Sequence, residues 1–128
     1  MAVNMNMPVL VVDDYKTMVR IISNLLRQIG FNNIDEASDG GEALDMMYTK
    51  PYGLVISDWN MQPMSGMDLL KRVRADQRLK DTAFIMVTAE SKVENVVAAK
   101  AAGVNNYIVK PFNAETLKSK ISSVLGDF

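Results

Sequence analysis

Four short apolar runs in this chain each end in a polar residue able to do chemistry. Val9-Leu10-Val11-Val12 leads into Asp13-Asp14, Leu54-Val55-Ile56 into Ser57-Asp58, Phe84-Ile85-Met86-Val87 into Thr88-Ala89-Glu90, and Tyr107-Ile108-Val109 into Lys110-Pro111. Singly, each has an ordinary explanation. An aspartate after a strand is a common turn residue or helix cap, Thr88 suits a strand end, and Lys110 alone is a solvated charge. Together they say more, because three carboxylates converging in one crevice repel unless something positive sits among them, and a lone lysine is not enough. A divalent cation is the economical counter-charge. The chain has no histidine and no cysteine, so oxygen is the ligand atom on offer, and oxygen selects a hard ion. One or two carboxylates with retained waters is how Mg²⁺ is usually held beside phosphate. The chemistry indicated is phosphoryl chemistry, in which Lys110 as a mobile charge and the Thr88 hydroxyl engage phosphoryl oxygens.

Those residues need elements that bring them to one place. A fifth, weaker run around Ile34 completes the set of strands. The continuously apolar runs suit parallel strands covered on both faces, and the mixed Asn33-Ile34-Asp35-Glu36-Ala37 suits a sheet edge. Between the runs lie helical patterns. Met18, Ile22, Leu25, Leu26 and Ile29 form one apolar stripe, and Leu117, Ile121, Val124 and Leu125 another. Asp39 with Glu42 and Ser91 with Glu94 fit capping boxes, Asn113 fits a cap for the last helix with Phe112 stapled onto Leu117, Gly30 and Gly103 fit helix stops, and Pro51 closes the second helix. The order is β-α repeated five times, an α/β fold that right-handed crossovers wind into a parallel five-stranded sheet with helices on both faces. In such sheets the functional crevice lies beyond the carboxyl ends of the strands, where every candidate residue falls.

Composition bounds the rest. The 128 residues are read as one domain, 1–128, with residues 1–7 as a short flexible start. Fourteen Lys and Arg against fifteen Asp and Glu leave no positive field for nucleic acid and no basic stretch for a membrane surface. Without cysteine the cytoplasm is the default compartment, and no apolar run is long enough for membrane insertion. The absence of histidine removes His-based triads, His-ligated zinc and a phosphohistidine of the protein's own.

The sequence resembles the receiver domain of two-component response regulators, closely the free-standing chemotaxis type. The resemblance spans essentially the whole chain. It rests on Val11-Val12-Asp13-Asp14, on Ser57-Asp58-Trp59-Asn60-Met61 with Met64-Ser65-Gly66, on Val87-Thr88-Ala89-Glu90 and on Tyr107-Ile108-Val109-Lys110-Pro111-Phe112. It implies a flavodoxin-like sheet of strand order 2-1-3-4-5. It implies that Asp58 accepts a phosphoryl group from a partner histidine kinase, that Asp13, Asp14, Asp58 and the carbonyl of Asn60 organise Mg²⁺, and that Thr88 and Lys110 hold the phosphoryl oxygens. The protein would catalyse its own phosphorylation and dephosphorylation without being a conventional enzyme. Tyr107 would turn inward as a switch, altering the face of helix four, strand five and helix five that a downstream target reads, the flagellar motor switch being the family's usual target. A monomer and a cis Lys110-Pro111 bond are expected as well. One departure is visible: Gln62 stands where the family usually has proline, with Pro63 following, so the loop after Asp58 is expected to differ in shape.

Other readings are weaker. Without the resemblance Tyr107 reads as a half-buried aromatic. An aspartyl phosphatase would carry a second aspartate at the position of Asn60, and a flavin carrier would not place Asp13-Asp14 against a cofactor phosphate. A degenerate receiver is disfavoured by the intact set of acids, threonine and lysine. A phosphate sink, or a regulator of another signalling enzyme, is the alternative output.

Overall fold

A computed structural model describes residues 4–89 and 93–126, with the side chain of Val93 outside the description. Strands and helices alternate as β1 (Val9–Val12), α1 (Lys16–Ile29), β2 (Ile34–Ala37), α2 (Gly40–Thr49), β3 (Leu54–Asp58), α3 (Gly66–Ala75), β4 (Ala83–Thr88), α4 (Val93–Ala101), β5 (Asn106–Val109) and α5 (Ala114–Leu125). The strands form one parallel sheet in the order β2-β1-β3-β4-β5. The expected fold class, strand order and edge position of β2 are all found.

The central strands are apolar along their length up to Ser57, Asp58 and Thr88 at their carboxyl ends, because they serve two cores. Leu10, Val12, Val55, Phe84 and Met86 point to one side and join side chains of α2, α3 and α4. Val9, Val11, Leu54, Ile56, Ile85 and Val87 point to the other and join α1 and α5. Successive strand side chains alternate between faces, so a strand with a helix layer on both sides has no polar face to spare. Each such side chain, fully buried, contributes roughly 1.5–3 kcal/mol of hydrophobic stabilisation.

The helix signals mostly hold. Asp39 Oδ1 accepts from the Glu42 amide at 2.8 Å, but the Glu42 carboxylate reaches back to the amide of Ser38 at 2.7 Å, one residue before the capping-box partner. Asn113 caps α5 by accepting from the Thr116 amide at 2.8 Å. Gly30 and Gly103 take φ of 124° and 101°, a conformation side chains rarely adopt, and α2 stops at Thr49 ahead of Pro51. The stripe on α1 is turned slightly from the expected one: Val19 and Ser23 are buried beside Ile22 and Leu26, while Met18, Leu25 and Ile29 are half-buried. Ser23 can be buried because its hydroxyl donates to Glu36 at 2.8 Å. Ser65 caps α3 through the Asp68 amide at 3.1 Å, a cap the sequence had not suggested. The Ser91–Glu94 box and Glu90 lie outside the described residues. Met5 and Met7, assigned by sequence to a flexible start, pack against the α1/α5 core. Among the described residues no helix is long and apolar enough to cross a membrane.

Candidate functional site

Strand register decides which residues meet. Val12 lies beside Ser57, so the next residues along, Asp13 and Asp58, leave the sheet as neighbours. Asp58 pairs with Val87 and Thr88 with Val109, which puts Thr88 and then Lys110 one step further along the same edge. The backbone ties this stagger down: the Trp59 amide donates to the Val87 carbonyl at 2.9 Å, and the Lys110 amide to the Thr88 carbonyl at 2.8 Å.

Carboxylate oxygens of Asp13, Asp14 and Asp58 all lie within 4.8 Å of one another. Asp13 and Asp58 are buried and Asp14 is exposed. Lys110 Nζ stands 2.9 Å from Asp58 Oδ1, an ion pair in which that oxygen takes no aligned hydrogen bond. Asp13 Oδ1 accepts from the Tyr15 amide at 2.9 Å, which turns the chain into α1, while Oδ2 is buried with no partner. Burial pushes the pKa of Asp13 up to about 6; the Tyr15 amide opposes this, Asp58 adds to it, Lys110 opposes it and Asp14 adds to it. The set is unbalanced: three acids face one lysine, and the buried Asp13 Oδ2 lacks a donor. A hard divalent cation relieves both defects, since it supplies positive charge and accepts that oxygen as a ligand.

Thr88 is buried at the end of β4. Asn60 is exposed in the loop that follows β3. Tyr107 is half-buried beside Met86 in the sheet, packed against the α2/α3/α4 core, with Lys120 Nζ 5.2 Å from its ring centre. The Lys110-Pro111 bond is cis, as expected, and so is Gln62-Pro63 in the loop whose departure from the family pattern the sequence had flagged.

Gly66 was visible in the sequence only as part of a motif, and the structure gives it a role. Its amide donates to the Trp59 carbonyl at 2.8 Å, and a Cβ built there would lie 2.2 Å from the Asp58 carbonyl oxygen and 2.9 Å from Trp59 Cα. The first turn of α3 is thus laid directly against the backbone that carries Asp58. Its one signal in the sequence is a glycine just inside a helix start, where a better helix former would ordinarily serve. Ser57 was also passed over: its hydroxyl is fully buried and donates to the Asp58 carbonyl at 3.0 Å.

The raised pKa of Asp13 has a measurable consequence for the metal-free protein. A carboxyl whose pKa is higher folded than unfolded favours the fold when protonated, and that contribution is lost as pH rises through about 6. Asp13→Asn is therefore expected to stabilise the metal-free protein above pH 6, by about 1–3 kcal/mol. The gain should fade between pH 6 and 3.8. Urea melts of both proteins in chelator across that range test it, and an equal or lower stability of the variant at neutral pH refutes it.

The model of the response regulator receiver domain matches residues 9–122. The chain is 53% identical over 121 residues to chemotaxis protein CheY-3 of Vibrio cholerae, covering 94% of this chain and 93% of that one. It is 52% identical over 118 residues to chemotaxis protein CheY of Pseudomonas aeruginosa, covering 92% and 95%. Among solved structures, CheY4 of Vibrio cholerae superposes with a TM-score of 0.87 at 36% identity, over 94% of this chain and 99% of that one. With a family model that matches residues 9–122, relatives about half identical along nearly the whole chain and a solved structure that superposes closely, this chain belongs to the response regulator receiver domains, as a signalling protein homologous to the CheY-type chemotaxis regulators.

Proposed function

We propose that Asp58 is the phosphoryl acceptor of this receiver, charged by a partner histidine kinase in the presence of Mg²⁺. The observation that carries this is the cluster itself: carboxylate oxygens of Asp13, Asp14 and Asp58 within 4.8 Å of one another, Asp13 Oδ2 buried with no partner, and Lys110 Nζ 2.9 Å from Asp58 Oδ1 as the cation that faces them. Asp13, Asp14 and Asp58, with the backbone carbonyl of Asn60, would hold the Mg²⁺. The ion supplies charge neutralisation for a phosphoryl group entering a crevice of acids.

The chain's own residues do the rest. An Asp58 oxygen displaces the leaving group from phosphorus, and register with β1 and β4 fixes the direction from which it attacks. Lys110, 2.9 Å from Asp58, would exchange that contact for one with a phosphoryl oxygen, and the Thr88 hydroxyl would hold another from the neighbouring strand. The protein in this way catalyses its own phosphorylation and the later hydrolysis. Movement of Thr88 toward the phosphoryl group would free space for Tyr107 to turn inward, changing the α4-β5-α5 face on which a target protein docks. Relatives named as chemotaxis proteins support a chemotaxis output over a phosphate sink or another enzyme, and the target in this scheme is the flagellar motor switch. The protein acts as a monomer in this scheme.

Incubation of the protein with Mg²⁺ and acetyl phosphate is expected to add the mass of one phosphoryl group to the peptide containing Asp58. Chelation should prevent the labelling and alkaline pH should remove it. A label that survives alkali, or that forms equally in chelator, would overturn the assignment.

A further inference from the structure

Ahead of the acceptor, β3 buries Leu54, Val55, Ile56 and Ser57, and Ser57 alone of these is polar. In the sheet it lies between Val12 of β1 and Met86 of β4, two side chains of the α2/α3/α4 core. A β-branched or aromatic residue is the ordinary choice for such a position. A buried hydroxyl there is costly unless it is hydrogen-bonded. The bond it makes, at 3.0 Å, goes to the carbonyl of Asp58, the residue that carries the acceptor.

That carbonyl belongs to the peptide linking Asp58 to Trp59, which is held at both ends. The Trp59 amide donates to the Val87 carbonyl of β4 at 2.9 Å, while the Asp58 oxygen takes the Ser57 hydroxyl and lies so close to Gly66 that a Cβ on Gly66 would collide with it. The next carbonyl, that of Trp59, accepts from the Gly66 amide at 2.8 Å. Rotation about the bond between the Asp58 Cα and its carbonyl carbon is thereby fixed. The chain from the Asp58 carboxylate to the Asn60 carbonyl runs through this peptide, so its plane decides how those two oxygens face each other.

We propose that Ser57 is a positioning residue for the cation: its buried hydroxyl sets the plane of the Asp58–Trp59 peptide so that the Asp58 carboxylate and the Asn60 carbonyl serve one ion. The inference rests on the Mg²⁺ ligands proposed above. Ligands held in place beforehand need not be ordered by the ion, so freeing the peptide weakens binding although every ligand remains.

Mg²⁺ titrations followed by the fluorescence of Trp59, the sole tryptophan, test this. Ser57→Ala is expected to raise the half-saturating Mg²⁺ concentration about tenfold. Ser57→Cys, whose thiol is a weak donor, should raise it less. Ile56→Val, on the same strand but facing the α1/α5 core, should lower the urea midpoint in chelator and leave the Mg²⁺ midpoint where it was, which separates positioning from general loosening. In metal-free Ser57→Ala the Trp59 and Gly66 amides should gain exchange rate by a larger factor than the amides of α5. Labelling of Ser57→Ala by acetyl phosphate should be slow at limiting Mg²⁺ and close to wild type at saturating Mg²⁺. An unchanged Mg²⁺ midpoint in Ser57→Ala, an equal rise in Ile56→Val, or labelling that stays slow at saturating Mg²⁺ overturns the inference and leaves the Mg²⁺ site standing. A wild type in which neither fluorescence nor labelling responds to Mg²⁺ overturns the site itself and the inference with it.

Discussion

Asp58→Asn is expected to take up no phosphoryl group under conditions in which the wild type is labelled to completion. The substitution keeps the shape of the side chain and its buried position at the end of β3, so loss of labelling cannot be ascribed to a collapsed site. What it removes is the anionic oxygen that must bond to phosphorus. Loss of a nucleophile typically costs on the order of a millionfold in rate, far beyond any change in cation binding. The amide also takes one negative charge from a cluster whose acid oxygens lie within 4.8 Å of one another, so Asp13 should titrate closer to an ordinary carboxyl. Intact-mass spectrometry after acetyl phosphate treatment reads the first effect and the pH dependence of stability reads the second. Labelling of the variant at a rate near wild type would place the acceptor elsewhere.

Gly66→Ala is expected to cost the fold about 3 kcal/mol or more, even though alanine is the better helix former by about 1 kcal/mol. The new methyl would stand 2.2 Å from the Asp58 carbonyl oxygen, 2.8 Å from Met86 Sδ and 2.9 Å from Trp59 Cα. Two of those three are backbone, so relief requires α3 to move away from β3 or the Asp58 peptide to turn. Either motion shifts the acceptor, and labelling of the folded fraction should slow as well. Gly41→Ala is the internal comparison: its Cβ meets nothing closer than Asp39 Oδ1 at 3.4 Å, and α2 should tolerate or gain from it. Urea melts should show a lower midpoint for Gly66→Ala and an unchanged or higher one for Gly41→Ala. A wild-type midpoint for Gly66→Ala would mean that the first turn of α3 is free to slide.

Much of this is legible in the sequence. The strands announce themselves because both faces are covered, and that leaves an apolar run with no alternation. The crevice is legible for a related reason: every parallel strand points its carboxyl end the same way, so whatever follows the runs must gather. Asp39, Asn113, Gly30 and Gly103 were readable because caps and stops act within a few residues. Gly66 and Ser57 were not readable, since their meaning lies in partners distant in sequence or in a carbonyl that offers no side-chain signal. The one-position turn of the α1 stripe was hidden for the same reason: Ser23 is polar, and only Glu36 across the fold makes its burial inexpensive.

The strict register of the central strands reaches beyond chemistry to the kinds of change the gene can survive. Along β1, β3 and β4 the same residue count that assigns each side chain to one core or the other also sets where Asp13, Asp58 and Thr88 emerge. Inserting or deleting one residue within such a strand would exchange the two cores and displace the reactive group together. A change of length is thereby tolerable in the loops and not in the strands, which can accept substitutions alone.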